Sequence, residues 1–156
     1  MIPLLLPLVP NALAIEHQQA ANWCWAASIQ EALRLTGHYD SQANIVARGK
    51  GYILDAPASG AEVVRTLQSY GLTAWEVPVP PTPTEMWTTY GSGFVLLGEM
   101  TPSGPYATGH MVVLEGLSAN GLVTVADPAY GTTSAMPLST VYYGYGFRAS
   151  VVVKVR

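Results

Sequence analysis

The chain has 156 residues, a formal net charge of −3, and 11% charged against 49% hydrophobic residues, which excludes the polar, highly charged composition of a disordered chain and is long enough for one buried core. No Lys/Arg run occurs, so the basic footprint that a phosphate backbone demands is missing and nucleic acid is set aside as a partner. The single cysteine, Cys24, excludes an internal disulfide and a CxxC-type zinc site, and no metal or cofactor is implied.

Residues 1–14, MIPLLLPLVPNALA, read as an extended apolar lead-in. Pro3, Pro7 and Pro10 break any helix there, and the A-x-A-like end lacks the basic segment of a signal peptide. No stretch reaches the roughly 20 apolar residues of a membrane span, so no stable membrane insertion is expected.

From Asn22 to about Thr36, the residues Trp25, Ile29, Ala32, Leu33 and Thr36 fall on one helical face, and Gly37 suits a left-handed stop. A second short helix is predicted over Ala43 to Arg48, closed by Gly49. Ser59 and Glu62 form a capping box ahead of a third, which Gly71 ends. Thr82 and Glu85, with Pro83 at the first helical position, open a short turn of helix through Trp87, after a Pro-rich stretch at 77–84 that reads as a rigid loop.

The second half changes period. FVLLGEM, HMVVLEGL, GLVTVAD and FRASVVVKV are short runs rich in β-branched residues, bounded by Gly, Pro and Ser, and they predict antiparallel strands. Asn120-Gly121 marks a hairpin between the second and third. The Tyr- and Gly-rich segment 142–147 reads as a lead-in to the last strand. Helices first and strands after give an α+β class, in one domain over residues 1–156.

The thiol sits at the start of the first helix, in QQAANWCWAAS. A thiol acts as a nucleophile in its ionised form, which a helix N-terminus and a neighbouring imidazole both favour. The chain offers His17, His38 and His110. His17 has no downstream acceptor and His38 lies beyond the wrong end of the helix, whereas His110 opens a predicted strand and could be aimed from it. The hairpin returns Asp127 to a similar distance from the turn, where it could hold the ring by Nδ1 and fix its tautomer. Acyl transfer also needs donors for an oxyanion; the Cys24 N–H and the amide of Gln18 or Gln19 are the candidates. Trp23 and Gly109, next to the thiol and the imidazole, are candidate substrate contacts, with Trp25 packed beneath the site. Glu115 falls on the opposite face of its strand from His110 unless the alternation breaks.

NWCWAAS, a Gln six residues before the Cys, a later GH ahead of an apolar strand and then ADP together resemble the papain-like cysteine peptidases. The sequence especially resembles their compact bacterial members, which include bacteriocin-leader-processing peptidases and pathogen effector proteases. The resemblance covers residues 15–36 and 106–130. It implies a minimal papain-like fold, with Cys24 as nucleophile, His110 as general base and acid, Asp127 where many relatives carry Asn, and Gln18 rather than Gln19 as oxyanion donor. A polypeptide substrate, an exported effector or toxin role in which the domain is secreted or delivered into a target cell, and a cognate inhibitor or immunity protein are further expectations. The same acyl-enzyme chemistry would serve an amidase, a glutamine deamidase or a transglutaminase, and a noncatalytic binding module is the rival from another class.

Overall fold

The computed structural model describes residues 15–88, 93–101 and 109–155, and the lead-in expected at 1–14 lies outside them. The thiol helix, α1, runs Cys24–Leu35. Its buried face carries Trp25, Ile29, Ala32 and Leu33, each at most 2% exposed, as the 3.6-residue spacing predicts. Gly37, at φ 84°, turns the chain out of it. Helix α2 spans Gln42–Lys50, with the Ser41 side chain accepting from the Asn44 N–H. It passes through Gly49, the expected stop, and ends at Gly51 in the left-handed conformation. The glycine at 49 serves packing instead: a side chain there would press on the Trp25 ring and Thr66 Oγ1. Helix α3, Gly60–Ser69, opens with the full reciprocal capping box of Ser59 and Glu62. Helix α4, Pro83–Thr88, opens with the matching pair of bonds between Thr82 and Glu85.

Among the described residues six strands form one antiparallel sheet: β1 Ala74–Val77, β2 Phe94–Met100, β3 His110–Leu117, β4 Leu122–Asp127, β5 Thr132–Pro137 and β6 Phe147–Lys154. Their spatial order is β1-β6-β2-β3-β4-β5. The four runs predicted as strands occupy the middle, and the two unpredicted ones, β1 and β5, are the edges. Segment 142–147 does not simply lead into β6, because a single π turn covers Thr140–Gly144.

Both faces of the central strands are covered, which is why VLL and VVV occur without polar alternation. Val95, Leu97, Met111, Val113, Val151 and Val153 pack with the buried sides of α1, α2 and α3. Leu96, Val112, Leu114, Val125 and Val152 form a second cluster on the far side, closed by Val141 of the π turn and Phe147. Chain order puts the thiol helix against β3, the strand that begins with His110. Helices followed by this sheet are the α+β arrangement that the sequence predicts.

Candidate active site

No side chain caps α1: its N-cap is Trp23, which makes no side-chain cap bond. The first N–H groups of a helix have no partner within it, so the start of α1 presents donors and a positive dipole end beside the half-buried Cys24.

The hairpin β3–β4 turns at Ser118–Gly121, where the Gly121 N–H donates to the Ser118 carbonyl and Gly121 adopts φ 80°. Near the turn Leu117 pairs with Val123 and Gly116 with Thr124, but further along Leu114 pairs with Val125 and Val113 with Ala126. Glu115 is therefore the extra residue of a β-bulge. Without it, continuation of the register would set Asp127 opposite Val113, on the face turned away from His110. With it, Asp127 falls beyond Val125 on the face shared by His110, Val112 and Leu114, because a one-residue slip exchanges the two faces. The bulge also lays Glu115 beside Glu31 of α1, and burial, followed by that neighbour's hydrogen bond and charge, pushes the Glu115 carboxyl up to about 9.

His110 and Asp127, 6% and 4% exposed, meet at 2.8 Å between Nε2 and Oδ1. This reverses the expectation that Asp127 holds the ring by Nδ1. The carboxylate accepts a hydrogen bond from Nε2–H, which leaves the nitrogen nearer the main chain for the thiol. Cys24 is close enough to act on the imidazole electrostatically. Burial, the largest single influence on His110, works against its charged form, but Asp127, through its hydrogen bond and charge, and Cys24 prevail and raise it to about 9.

Asp127 is held on every side. Its Oδ1 also accepts from the Ala129 N–H at 2.9 Å, and its Oδ2 accepts from the Tyr145 hydroxyl at 2.9 Å. Burial opposes its ionisation, yet the bonds from His110, Ala129 and Tyr145 hold it below the usual carboxylate range. Tyr145 is the residue that sequence reasoning missed. It lies just past the π turn, whose wide coil brings the phenol under β4, and only the abundance of Tyr at 142–147 hinted at a role there.

Cys24, Gly109 and His110 all line one open cleft of about 430 Å³, with Asn22 and Trp25 from the thiol helix, Ser59 and Gly60 from the start of α3, and Glu76, Glu99 and Arg148 from the sheet. Trp25 forms part of this wall and donates from Nε1 to the Ala56 carbonyl. The expected contact Trp23 is not in the lining. Its ring is 8% exposed within the helix-side core, and its Nε1 donates to the Leu54 carbonyl. Gln18 is not in the lining either. Its Nε2 donates to the Ala20 and Ala21 carbonyls at 3.1 and 2.8 Å, and its main-chain N–H donates to the Pro128 carbonyl, next to Asp127. Gln19 is exposed, and His17 and His38 are exposed away from this cleft. Among the described residues no group of His, Cys, Asp and Glu could hold a metal ion.

Over residues 9–143 the sequence matches a family model described as the papain-like cysteine protease AvrRpt2. No curated protein matches it. Among solved structures, the peptidase domain of Streptococcus ComA, a bi-functional ABC transporter of a quorum-sensing pathway, is similar at a TM-score of 0.70 with 14% identity, covering 92% of this chain and 98% of that one. A C39-like peptidase from Bacillus anthracis gives 0.70 with 11% identity over 93% and 95%. A double glycine motif protease from an AMS/PCAT transporter, solved in complex with the leader peptide, gives 0.67 with 16% identity over 92% and 91%. At such identities the structural likeness establishes a shared fold.

Proposed function

Since this chain belongs to the papain-like cysteine proteases, it is a thiol peptidase, and we propose that Cys24, His110 and Asp127 carry its reaction, the cleavage of a polypeptide through an acyl-enzyme. The observation that carries this reading is the buried imidazole, bonded to a carboxylate 2.8 Å away and lining the same cleft as the chain's single thiol, which helps to raise it.

In this scheme the sulfur of Cys24 attacks the scissile carbonyl, and His110, holding the proton, passes it to the departing amine. Water then attacks the thioester, with His110 taking its proton and returning one to the sulfur. Asp127 fixes the ring through Nε2 and favours the imidazolium that each step passes through. The developing oxyanion is met by the uncapped N–H at the start of α1, and the amide of Gln18, whose Nε2 now donates to the Ala20 and Ala21 carbonyls outside the cleft, adds a second donor once it turns inward on substrate binding. Gln18→Ala is accordingly expected to lower kcat by roughly 10²- to 10³-fold. Gln19→Ala, measured on the same peptide, should leave it near wild type.

A polypeptide substrate is supported by the complex of a structural neighbour with a leader peptide. We further place the domain in an exported effector or toxin, secreted or delivered into a target cell and matched by a cognate inhibitor, the setting that the sequence resemblance implies. Incubation with a proteome followed by N-terminal peptide profiling tests the reaction. New N-termini that vanish with Cys24→Ala support the peptidase; a gain of one dalton at glutamine without cleavage contradicts it and assigns a deamidase.

A further inference from the structure

Two glutamines that the reaction does not use are sealed in the helical half: Gln42, the first residue of α2, is fully buried, and Gln30, in the middle of α1, is 3% exposed. A buried carboxamide is costly unless its hydrogen-bonding positions are filled, and those of Gln42 are filled largely by one short segment of chain. Its Nε2 donates to the His17 carbonyl at 3.0 Å and its Oε1 accepts from the Gln19 N–H at 2.9 Å, so one amide bonds the main chain on both sides of Gln18. The orientation is unambiguous, since a carbonyl can only accept and an N–H can only donate. Nε2 also donates to Oε1 of Gln30 at 3.2 Å, and Gln30 donates in turn to the Asp40 carbonyl at 2.9 Å, just ahead of α2. Gln30 lies on the helix that begins with Cys24, so the segment that carries Gln18 is tied to the helix that carries the nucleophile.

The main-chain donor left between these two bonds is taken up beside the carboxylate. The Gln18 N–H donates to the Pro128 carbonyl at 2.8 Å, in the turn directly after Asp127. Gly131, at φ 62° in that turn, comes so near that a side chain there would press on His17. The side chain of Gln18 is held far less firmly: its Nε2 reaches only the nearby Ala20 and Ala21 carbonyls, and its Oε1, sealed from solvent, has no hydrogen-bond partner among the described residues. The backbone is thus the fixed part and the amide the part that can turn. We propose that Gln42 is a positioning residue of the reaction: by locking the main chain at His17 and Gln19 it aims Gln18, so that the oxyanion donor swings into the cleft by side-chain rotation alone. Such a residue acts on the transition state more than on bound substrate, because the donor is needed only where negative charge develops. The inference deepens the peptidase reading and rests on it, and on Gln18 as the donor.

The test is steady-state cleavage of one peptide found by profiling, by the wild type, Gln42→Met, Gln18→Ala and the double variant, with the melting temperature and the rate of Cys24 alkylation by iodoacetamide measured on each. Methionine keeps the length of the side chain and removes both bonds to the segment. Gln42→Met should lower kcat by roughly 10- to 10²-fold with KM within about twofold. In the Gln18→Ala background the same change should cost no more than about twofold further, because the residue it aims is gone. Alkylation, which builds no oxyanion, should keep its wild-type rate. Gln42→Glu supplies the rescue, and the readout if the methionine variant fails to fold. Its protonated carboxyl can donate to the His17 carbonyl and accept from the Gln19 N–H, so its kcat relative to the wild type should be roughly threefold or more higher at pH 5 than at pH 8. An unchanged kcat in Gln42→Met, an equal loss with and without Gln18, a parallel loss of alkylation, or a pH-independent ratio in Gln42→Glu would overturn the inference and leave the amide as architecture, with the peptidase intact. If Gln18→Ala itself keeps the wild-type kcat, the oxyanion assignment falls and the inference with it; if no cleavage depends on Cys24, the peptidase reading falls as well.

Discussion

Cys24→Ala is expected to lower kcat/KM for a cleaved polypeptide by about 10⁴-fold or more, the scale seen when a covalent nucleophile is removed, while shifting the melting temperature by no more than a few degrees. The chain has no second thiol to take over. Alanine favours the first turn of a helix no less than cysteine, and the side chain is half-buried at the cleft rather than deep in the core. Steady-state cleavage of a peptide found by profiling, with thermal denaturation of the same sample, checks both halves. A variant that keeps more than a few per cent of the activity would show that the thiol is not the attacking group.

The second large effect belongs to Asp127. Asp127→Ala should cost roughly 10²- to 10⁴-fold in kcat/KM, the range of a lost acid–base function, because it frees the ring and strands the Tyr145 hydroxyl and the Ala129 N–H. Asp127→Asn is the more informative change, since the amide oxygen can still accept from Nε2 but brings no charge. His110 is held at about 9 in part by that charge, so the wild type should stay active up to about pH 9 and decline above it as the imidazolium is lost. The asparagine variant should move this alkaline limb down by roughly one to three pH units. Tyr145→Phe, which weakens the carboxylate's support without removing it, should move the limb the same way by less. Folding follows the same sign: a histidine raised from 6.5 to about 9 contributes stability that is fully present below pH 6.5 and is lost as pH rises through about 9. An alkaline limb that does not move in the asparagine variant would show that Asp127 does not govern the imidazole.

Much of this was legible in sequence because it rests on local chemistry. The capping boxes at Ser59/Glu62 and Thr82/Glu85 formed as written, and the four apolar runs became the inner strands, where burial on both faces demands such residues. The edge strands escaped notice for the complementary reason. TTSAMP in β5 is almost wholly exposed, and AWEV in β1 is short and runs into Pro78, so neither shows an apolar pattern; the ladder to a neighbour holds them in place. The thiol, the imidazole and the carboxylate could be named from order and spacing. That Asp127 shares a strand face with His110 could not be read from spacing, because it depends on a bulge at Glu115 whose only sequence trace is a charged residue in an apolar run. Trp23 went to the core instead of the cleft because its indole found the Leu54 carbonyl, a partner 31 residues away.

The convergence of sulfur, imidazole and carboxylate is tested most directly by the rate at which iodoacetamide alkylates Cys24, followed by intact mass at pH 6 in the wild type and in His110→Ala. Replacement of the ring should slow alkylation at least about tenfold, because the imidazolium that favours the ionised sulfur is gone. Equal rates in the two proteins would mean that His110 does not act on Cys24, and the account would fail.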